Sequence, residues 1–572
     1  MTCEDMIYSN DYADFMINYL DGNENRNMLS QDGCINSITD RIAIYHRPKG
    51  PEYLTNLETV PYAFIPKLYG LMDSSNMEAV GATAVQSKNG LGLSGKNVMI
   101  GIIDTGIDYT NSLFWNEVNG RKISRIEAIW DQSEEGLEKS DSTVMPYYGR
   151  VYEKERNTEA LNTDRPEELV SSTDENGHGT FLAGIAAGNL DISNDFVGAA
   201  PEAGIAVVKL KEAKPYLREF FGIEDGVLAY QETDIIYAIH YLLSLAKARN
   251  MPISILIGVG SSNGGHSGDT FLERYLDVVL ENIGVMVSVP AGNEGNEKLH
   301  FKGLLEPLDE HQLVELNVAS GQKAVVLELW GKRPTTFGLG IVSPQGDRID
   351  RIPPRFGQEE QFKLPIAGSS VYVAYQFVEV YSGDELIFVR IDNPTPGIWW
   401  FLVYADEGLR REYDIWLPLR QFQKEDTYFL RPEPENTITN PGNSNLTMTL
   451  SAYNHLNESV YVKAGRGFNS LGQVVPDLVA PGVDVSGPGL RNNYVRKSGT
   501  SVAAAHSAGM IALFLQWNLE NPEVGYFYAG QIQSLFLKNA ARTPDLRYPN
   551  PIVGYGYMNI ENVFNDFRVV GS

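Results

Sequence analysis

Three short stretches hold residue types that could carry out nucleophilic chemistry together. Ile103-Asp104-Thr105-Gly106 ends an apolar run in a carboxylate, and Asn176-Gly177-His178-Gly179-Thr180 presents an imidazole among small neighbours. Gly499-Thr500-Ser501 places a hydroxyl just before Val502 to Leu515, a helix-compatible run without Pro and with one late Gly. A serine there sits at a helix N-terminus, where free backbone N–H groups and the positive end of the helix dipole can stabilise an oxyanion. Alone it would read as a helix cap. A serine hydroxyl is a poor nucleophile until a histidine takes its proton, and that histidine needs a carboxylate to hold its tautomer and stabilise the imidazolium. Asp104, His178 and Ser501 supply this set, in one of the chain orders known for it. Asn293, in the turn Ala291-Gly292-Asn293-Glu294-Gly295 after an apolar strand, can add a side-chain amide N–H to the backbone N–H of Ser501 for the oxyanion.

These residues need a scaffold that brings distant segments together, and the pattern predicts a parallel α/β fold. Asn97 to Ile103, Gly204 to Leu210, Ile253 to Ile257 and Gly284 to Val289 read as buried strands. Asp234 opens a helix with Ile235, Ile236, Ile239, Leu242, Leu243 and Ala246 on its apolar face. Strands alternating with helices imply a parallel sheet whose ligands lie at the strands' carboxyl ends, where Asp104 and Asn293 fall. Residues 1–74 read as a separate small α+β unit. In it Tyr12, Phe15, Met16, Tyr19 and Leu20 recur at helical spacing, Ile42 to Tyr45 forms a strand, and Val60 to Met72 is an extended tail. The α/β pattern runs over 75–298. Residues 299–435 change to closely spaced strand-like runs between Gly, Pro, Asn and Asp turns, including Phe337 to Val342 and Glu412 to Trp416, which predicts an inserted all-β sandwich or jelly roll. The α/β pattern resumes over 436–572, with a strand at Asn445 to Ala452 and a rigid turn at Pro476 to Gly482.

Composition narrows the function classes. Among 572 residues the net charge of -27 argues against a nucleic-acid or anionic-membrane partner. No apolar run approaches the ~20 residues that span a bilayer. Met1 to Met6 has neither the basic start nor the apolar core of a secretory signal, so cytoplasmic synthesis is expected. The two cysteines, Cys3 and Cys34, lack metal or redox spacing, and disulfides are not expected to hold the main fold.

The four motifs together resemble the subtilisin-like serine proteases, or subtilases. The matching residues are Asp104-Thr105-Gly106 with Ile107-Asp108, His178-Gly179-Thr180 with Ala183-Gly184, Ala291 to Gly295, and Gly499-Thr500-Ser501 with His506 and Gly509. The resemblance implies a serine endopeptidase with Asp104, His178 and Ser501 as triad, Asn293 as oxyanion asparagine, and no cofactor or metal. It places Gly292 and Thr500 beside the substrate and puts Leu256-Ile257-Gly258 where relatives carry a Ser-Leu-Gly run that pairs with the peptide. More narrowly the chain is similar to the clostridial Csp germination proteases and related subtilases of gut Firmicutes. That likeness implies a prodomain over 1–74 acting as intramolecular inhibitor, self-cleavage between Met72 and Met77, an inserted jelly roll, limited proteolysis of a protein precursor, and association with the spore. A general intracellular protease and a silent scaffold protein are the alternatives.

Other residues invite blander readings. His506 is expected to be a packed helix histidine, because the set already has its base. His266 receives no role. Asp191, Asn194 and Asp195 fit no EF-hand spacing and read as a solvated turn. Trp399 and Trp400 alternate along a strand, so one should face the core rather than a sugar.

Overall fold

The computed structural model describes residues 2–18, 33–49, 61–71, 85–86, 91–137, 142–405 and 411–570. The chain opens with helix α1 (Cys3–Tyr8), capped reciprocally: the Thr2 hydroxyl accepts from the Asp5 N–H while the Asp5 carboxylate accepts from the Thr2 N–H. Strands β1 (Tyr12–Asn18), β2 (Cys34–Ser37) and β3 (Ile42–Pro48) follow as an antiparallel sheet in the order β1-β3-β2. The helix expected from Tyr12 onward is therefore a strand. β1 pairs with β3 along its whole length, and Ala13, Asp14, Phe15 and Met16 are buried in succession, which an amphipathic surface helix does not allow. Tyr19 and Leu20 of that expected helix lie outside the described residues. Cys3 and Cys34 form a disulfide within this unit, joining α1 to β2.

The unit docks through buried polar groups. Asp14 accepts from His46 Nδ1 at 2.6 Å, from Lys214 Nζ at 2.8 Å and from Gln231 Nε2 at 2.8 Å. Burial works to raise its carboxyl, but the Lys214 ammonium and the His46 contact outweigh it and hold the carboxyl below the usual range, so the contact is a satisfied one.

The N-terminal segment ends in β4 (Leu68–Leu71), and the main body carries β5 (Met99–Asp104), the hairpin β6 (Trp115–Val118) and β7 (Arg121–Ser124), β8 (Ile126–Asp131), β9 (Arg150–Glu153) and β10 (Gly204–Lys209). It continues with β11 (Tyr230–Gln231), β12 (Ile253–Ile257), β13 (Val259–Gly260), β14 (Val285–Pro290), β15 (Met448–Tyr453) and β16 (Leu478–Pro481). The helices that matter here are α2 (His178–Ala187), α3 (Glu232–Arg249), α4 (Phe271–Val279) and α5 (Thr500–Glu520). An eight-stranded sheet runs β16-β15-β14-β12-β5-β10-β8-β9, parallel throughout except at β8/β9. Residues read as a rigid turn after Pro476 thus form the edge strand β16, a place where its terminal Pro481 costs no ladder bond. β5, β12 and β14 are buried at every position, as strands covered on both faces must be. α5 is buried along almost its whole length, with alanines at 503, 504, 505, 508 and 512 letting it pass close to the sheet.

Between His300 and Phe429 a six-stranded and a five-stranded antiparallel sheet share one core that includes Leu316, Leu327, Trp399 and Phe401. Trp399 is fully buried and donates its indole N–H to Thr395 O at 2.9 Å, while Trp400 faces outward. A second shared core joins Phe15, Tyr62, Ile65 and Leu68 to Val326, Trp330, Phe388 and Trp416 of this β unit and to Tyr216 and Phe220 of the main body. The inserted sheets therefore pack against the N-terminal segment as well as the α/β body. No helix among the described residues is long and apolar enough to cross a membrane.

Candidate active site

Asp104 is the last residue of β5, His178 the first of α2 and Ser501 the second of α5. The fold brings them together in a buried row. His178 Nδ1 lies 2.7 Å from Asp104 Oδ1, and His178 Nε2 lies 3.2 Å from Ser501 Oγ. Their side chains are 0 to 2% exposed. The Thr105 N–H also donates to Asp104 Oδ1 at 2.8 Å, fixing the carboxylate from its own turn. Because Asp104 is acceptor-only, Nδ1 carries the proton and Nε2 is left as the base toward the serine hydroxyl.

The helix start that holds His178 is organised by Asp174, a residue the sequence reading passed over. Its Oδ1 accepts from Thr105 Oγ1 (2.9 Å), Asn176 N (3.0 Å) and Gly177 N (2.8 Å). Its Oδ2 accepts from Thr180 N (2.9 Å) and Thr180 Oγ1 (2.7 Å). Five donors on one buried carboxylate satisfy the Gly177 and Thr180 N–H groups at the start of α2 and tie them to the turn after Asp104. The signal was present as an acidic residue just ahead of a helix start. Gly177 takes φ 83°, a left-handed turn that lets the chain enter α2 with the imidazole inward. At Gly179 a Cβ would fall 2.2 Å from Gly106 O, so glycine is required for the two loops to touch.

Asn293 faces the same point from the end of β14. Its Oδ1 accepts from Thr500 N and Thr500 Oγ1, both at 3.2 Å, and Thr500 Oγ1 in turn accepts from Gly292 N at 3.1 Å. A backbone N–H can only donate, so the amide oxygen must face Thr500 and the Nδ2 hydrogens must point the other way. Gly292 and Thr500, expected beside the substrate, thus serve to orient Asn293. The next residue, Glu294, is buried, accepts from Arg420 N at 3.0 Å, and has its carboxyl pushed up to about 7 by burial.

The expected substrate strand needs correcting. Leu256 and Ile257 lie inside β12 with no exposure, and Leu256 is paired on one side with Ser288 and on the other with Ile102, so no edge remains for a peptide. The strand that offers an edge is β13, just beyond. Gly258 packs against the triad instead: a Cβ there would stand 1.9 Å from Asp104 Oδ2. On β13, Val259 pairs with Leu71 and Gly260 with Gly70, while Tyr230 and Gln231 of β11 pair with Tyr69 and Leu68. Strand β4, in the tail expected to be extended, is therefore held antiparallel between two strands of the main body. Met72 to Met77, the expected self-cleavage region, lies outside the described residues.

The remaining residues took structural places. His506 is fully buried, bonds Val502 O through Nδ1 at 2.8 Å, and is pushed down to about 3 by burial. His266 stacks on Trp416 with ring centroids 4.3 Å apart. Asp191 caps its own turn, accepting from Ser193 N and Asn194 N.

Comparison with known proteins agrees with this geometry. A model described as the subtilase family matches residues 95–298 and 430–557. The major intracellular serine protease of Bacillus subtilis is 25% identical over 262 residues, covering 46% of this chain and 62% of the relative. The C5a peptidase of Streptococcus pyogenes serotype M18 is 22% identical over 464 residues, 75% of this chain and 36% of the relative. The chain spans less than two thirds of the length of these two relatives. The solved structure of the Clostridium perfringens CspB protease superposes with a TM-score of 0.75 at 27% identity, covering 85% of this chain and 96% of that one. The family match takes in more than half of the residues and contains all four motifs around the buried row, and the chain belongs to the subtilase family.

Proposed function

We propose that this protein is a serine endopeptidase that hydrolyses peptide bonds through an acyl-enzyme. The observation that carries the reading is the row Asp104 Oδ1, His178 and Ser501 Oγ at 2.7 and 3.2 Å, with an oriented Asn293 amide beside it. Ser501 Oγ attacks the scissile carbonyl carbon as its proton passes to His178 Nε2. The oxyanion accepts hydrogen bonds from Asn293 Nδ2 and Ser501 N. His178 then gives the proton to the leaving amine, and the acyl-enzyme forms. A water molecule, deprotonated by His178, attacks the ester and releases Ser501. Asp104 orients the imidazole and stabilises its charged form.

Residues 1–74 are read as an intramolecular inhibitor. Support comes from β4, which fills the groove between β11 and β13 by main-chain pairing, the way an extended peptide joins a sheet edge. Self-cleavage follows shortly after this strand, between Met72 and Met77. The physiological substrate is read as a protein precursor activated by limited proteolysis in spore germination, a reading that rests on the likeness to the CspB protease.

Mass spectrometry of the purified chain tests the activity: wild type should lose its N-terminal segment while Ser501→Ala stays intact. Identical intact masses would count against it. The occupied groove also favours a second reading, a scaffold protein with a silent site. Fluorophosphonate separates the two, since with the N-terminal segment released an enzyme is modified at Ser501 and a scaffold is not.

A further inference from the structure

Gly70 is buried within the groove, at the position of β4 that pairs with Gly260. It has no left-handed φ, so backbone freedom does not call for glycine there. Space does. A Cβ at 70 would lie 1.2 Å from Gln421 Nε2, 2.5 Å from Gln421 Cδ and 3.0 Å from Leu419 Cδ1. Both neighbours belong to the connection between the strand Glu412–Trp416 of the inserted β unit and its last strand, Tyr428–Phe429.

The two differ in how far they can yield. Gln421 is exposed and its amide is the end of a flexible side chain, so it can swing aside. Leu419 is 1% exposed and shares a core with Tyr62, Ile65, Leu68 and Trp416. Arg420, between them, is anchored on three sides: its N–H donates to Glu294, and its guanidinium donates to Glu297 O, Lys424 O and Thr427 O. The segment is thus fixed to the loop that carries Asn293.

We propose that Leu419 and Gln421 form a roof over the substrate groove and act as a specificity element, restricting the substrate residue paired with Gly260 to glycine or another small residue. The inference rests on the endopeptidase reading and assigns a selective role to the insertion. Any peptide cleaved in this groove would carry a small residue two or more positions before the scissile bond, as the chain's own segment does with Gly70.

The test follows self-processing of the full chain by mass spectrometry. Gly70→Leu should slow it about tenfold or more, the scale of an overpacked site. Adding Leu419→Ala and Gln421→Gly to Gly70→Leu should restore the rate, measured against the same roof pair with Gly70 intact. Unchanged processing by Gly70→Leu overturns the proposal, and so does a slow variant that the open roof fails to rescue. Trypsin sensitivity at the buried Lys67, in the Ser501→Ala background, reads the fit without chemistry. Gly70→Leu should expose Lys67 and the open roof should protect it again; protection indifferent to residue 70 overturns the roof. If wild type itself is never processed, the endopeptidase reading fails alone and the Lys67 readout still decides the roof.

Discussion

Asp174→Asn isolates the part of the site that touches neither substrate nor serine. The substitution keeps the shape of the side chain and removes one acceptor oxygen and the charge. If the remaining oxygen serves Thr105 Oγ1, Asn176 N and Gly177 N, the new NH2 faces the Thr180 N–H, which had a 2.9 Å bond to Oδ2. Thr180 Oγ1 can turn to accept, but a backbone N–H cannot. One orphaned buried donor costs about 1–3 kcal/mol, and three charge-assisted bonds reduced to neutral ones lose roughly half their strength. Together these come to about 3 kcal/mol of local stability at the start of α2, or on the order of a hundredfold in local opening. Hydrogen exchange followed by mass spectrometry on a peptide spanning 174–182 should show Gly177 and Thr180 amides exchanging about a hundredfold faster. Self-processing should slow as well, because a displacement of His178 by about 1 Å costs on the order of a hundredfold in rate. Unchanged exchange together with a rate within threefold of wild type would refute the claim that Asp174 positions the imidazole.

Asn293→Ala removes the oriented amide donor. Self-processing should fall by about 100- to 1000-fold, a scale taken from the corresponding asparagine of subtilisin, and a loss under threefold would mean the oxyanion is held elsewhere. Asp477 is buried, and burial pushes its carboxyl from 3.8 up to about 7. Between those values the folded state binds a proton the unfolded state has released, so stability falls as pH rises from about 4 to 7 and levels off above. The drop is roughly 4 kcal/mol for this group. Asp477→Asn should remove that part: the midpoint of thermal unfolding, compared at pH 4, 5.5, 7 and 8, should fall less steeply with pH than in wild type, and parallel curves would contradict it. Glu273 and Glu294, also pushed up to about 7 by burial, give the same sign and remain in both proteins, so the difference between the two curves is the quantity to read.

The chemistry was legible in the residues because each functional side chain sits where a regular element begins or ends. Asp104 closes an apolar strand, and His178 and Ser501 open helices among glycines and small residues. Such local signals survive in one dimension: a buried parallel strand reads as an apolar run, and a loop that must approach another closely reads as glycine. The inserted β unit was visible for the same reason, through turn residues at short intervals.

What the sequence could not state are pairings between segments far apart. The helical spacing of Tyr12, Phe15 and Met16 lost to β3, which supplies a pairing partner along the full strand. Leu256 and Ile257 look like a substrate strand until β5 and β14 are seen to occupy their edges, leaving Val259 and Gly260 to pair with β4. Likewise nothing in Leu419-Arg420-Gln421 points to Gly70, since the contact exists only once the insertion folds back over the groove. The amino-acid order by itself determined which side chains can react and which elements carry them, because those are properties of neighbours along the chain. Tertiary structure alone decided which edge is open, what fills it and what stands above it, because an unpaired edge and an excluded volume arise only between surfaces that folding brings together.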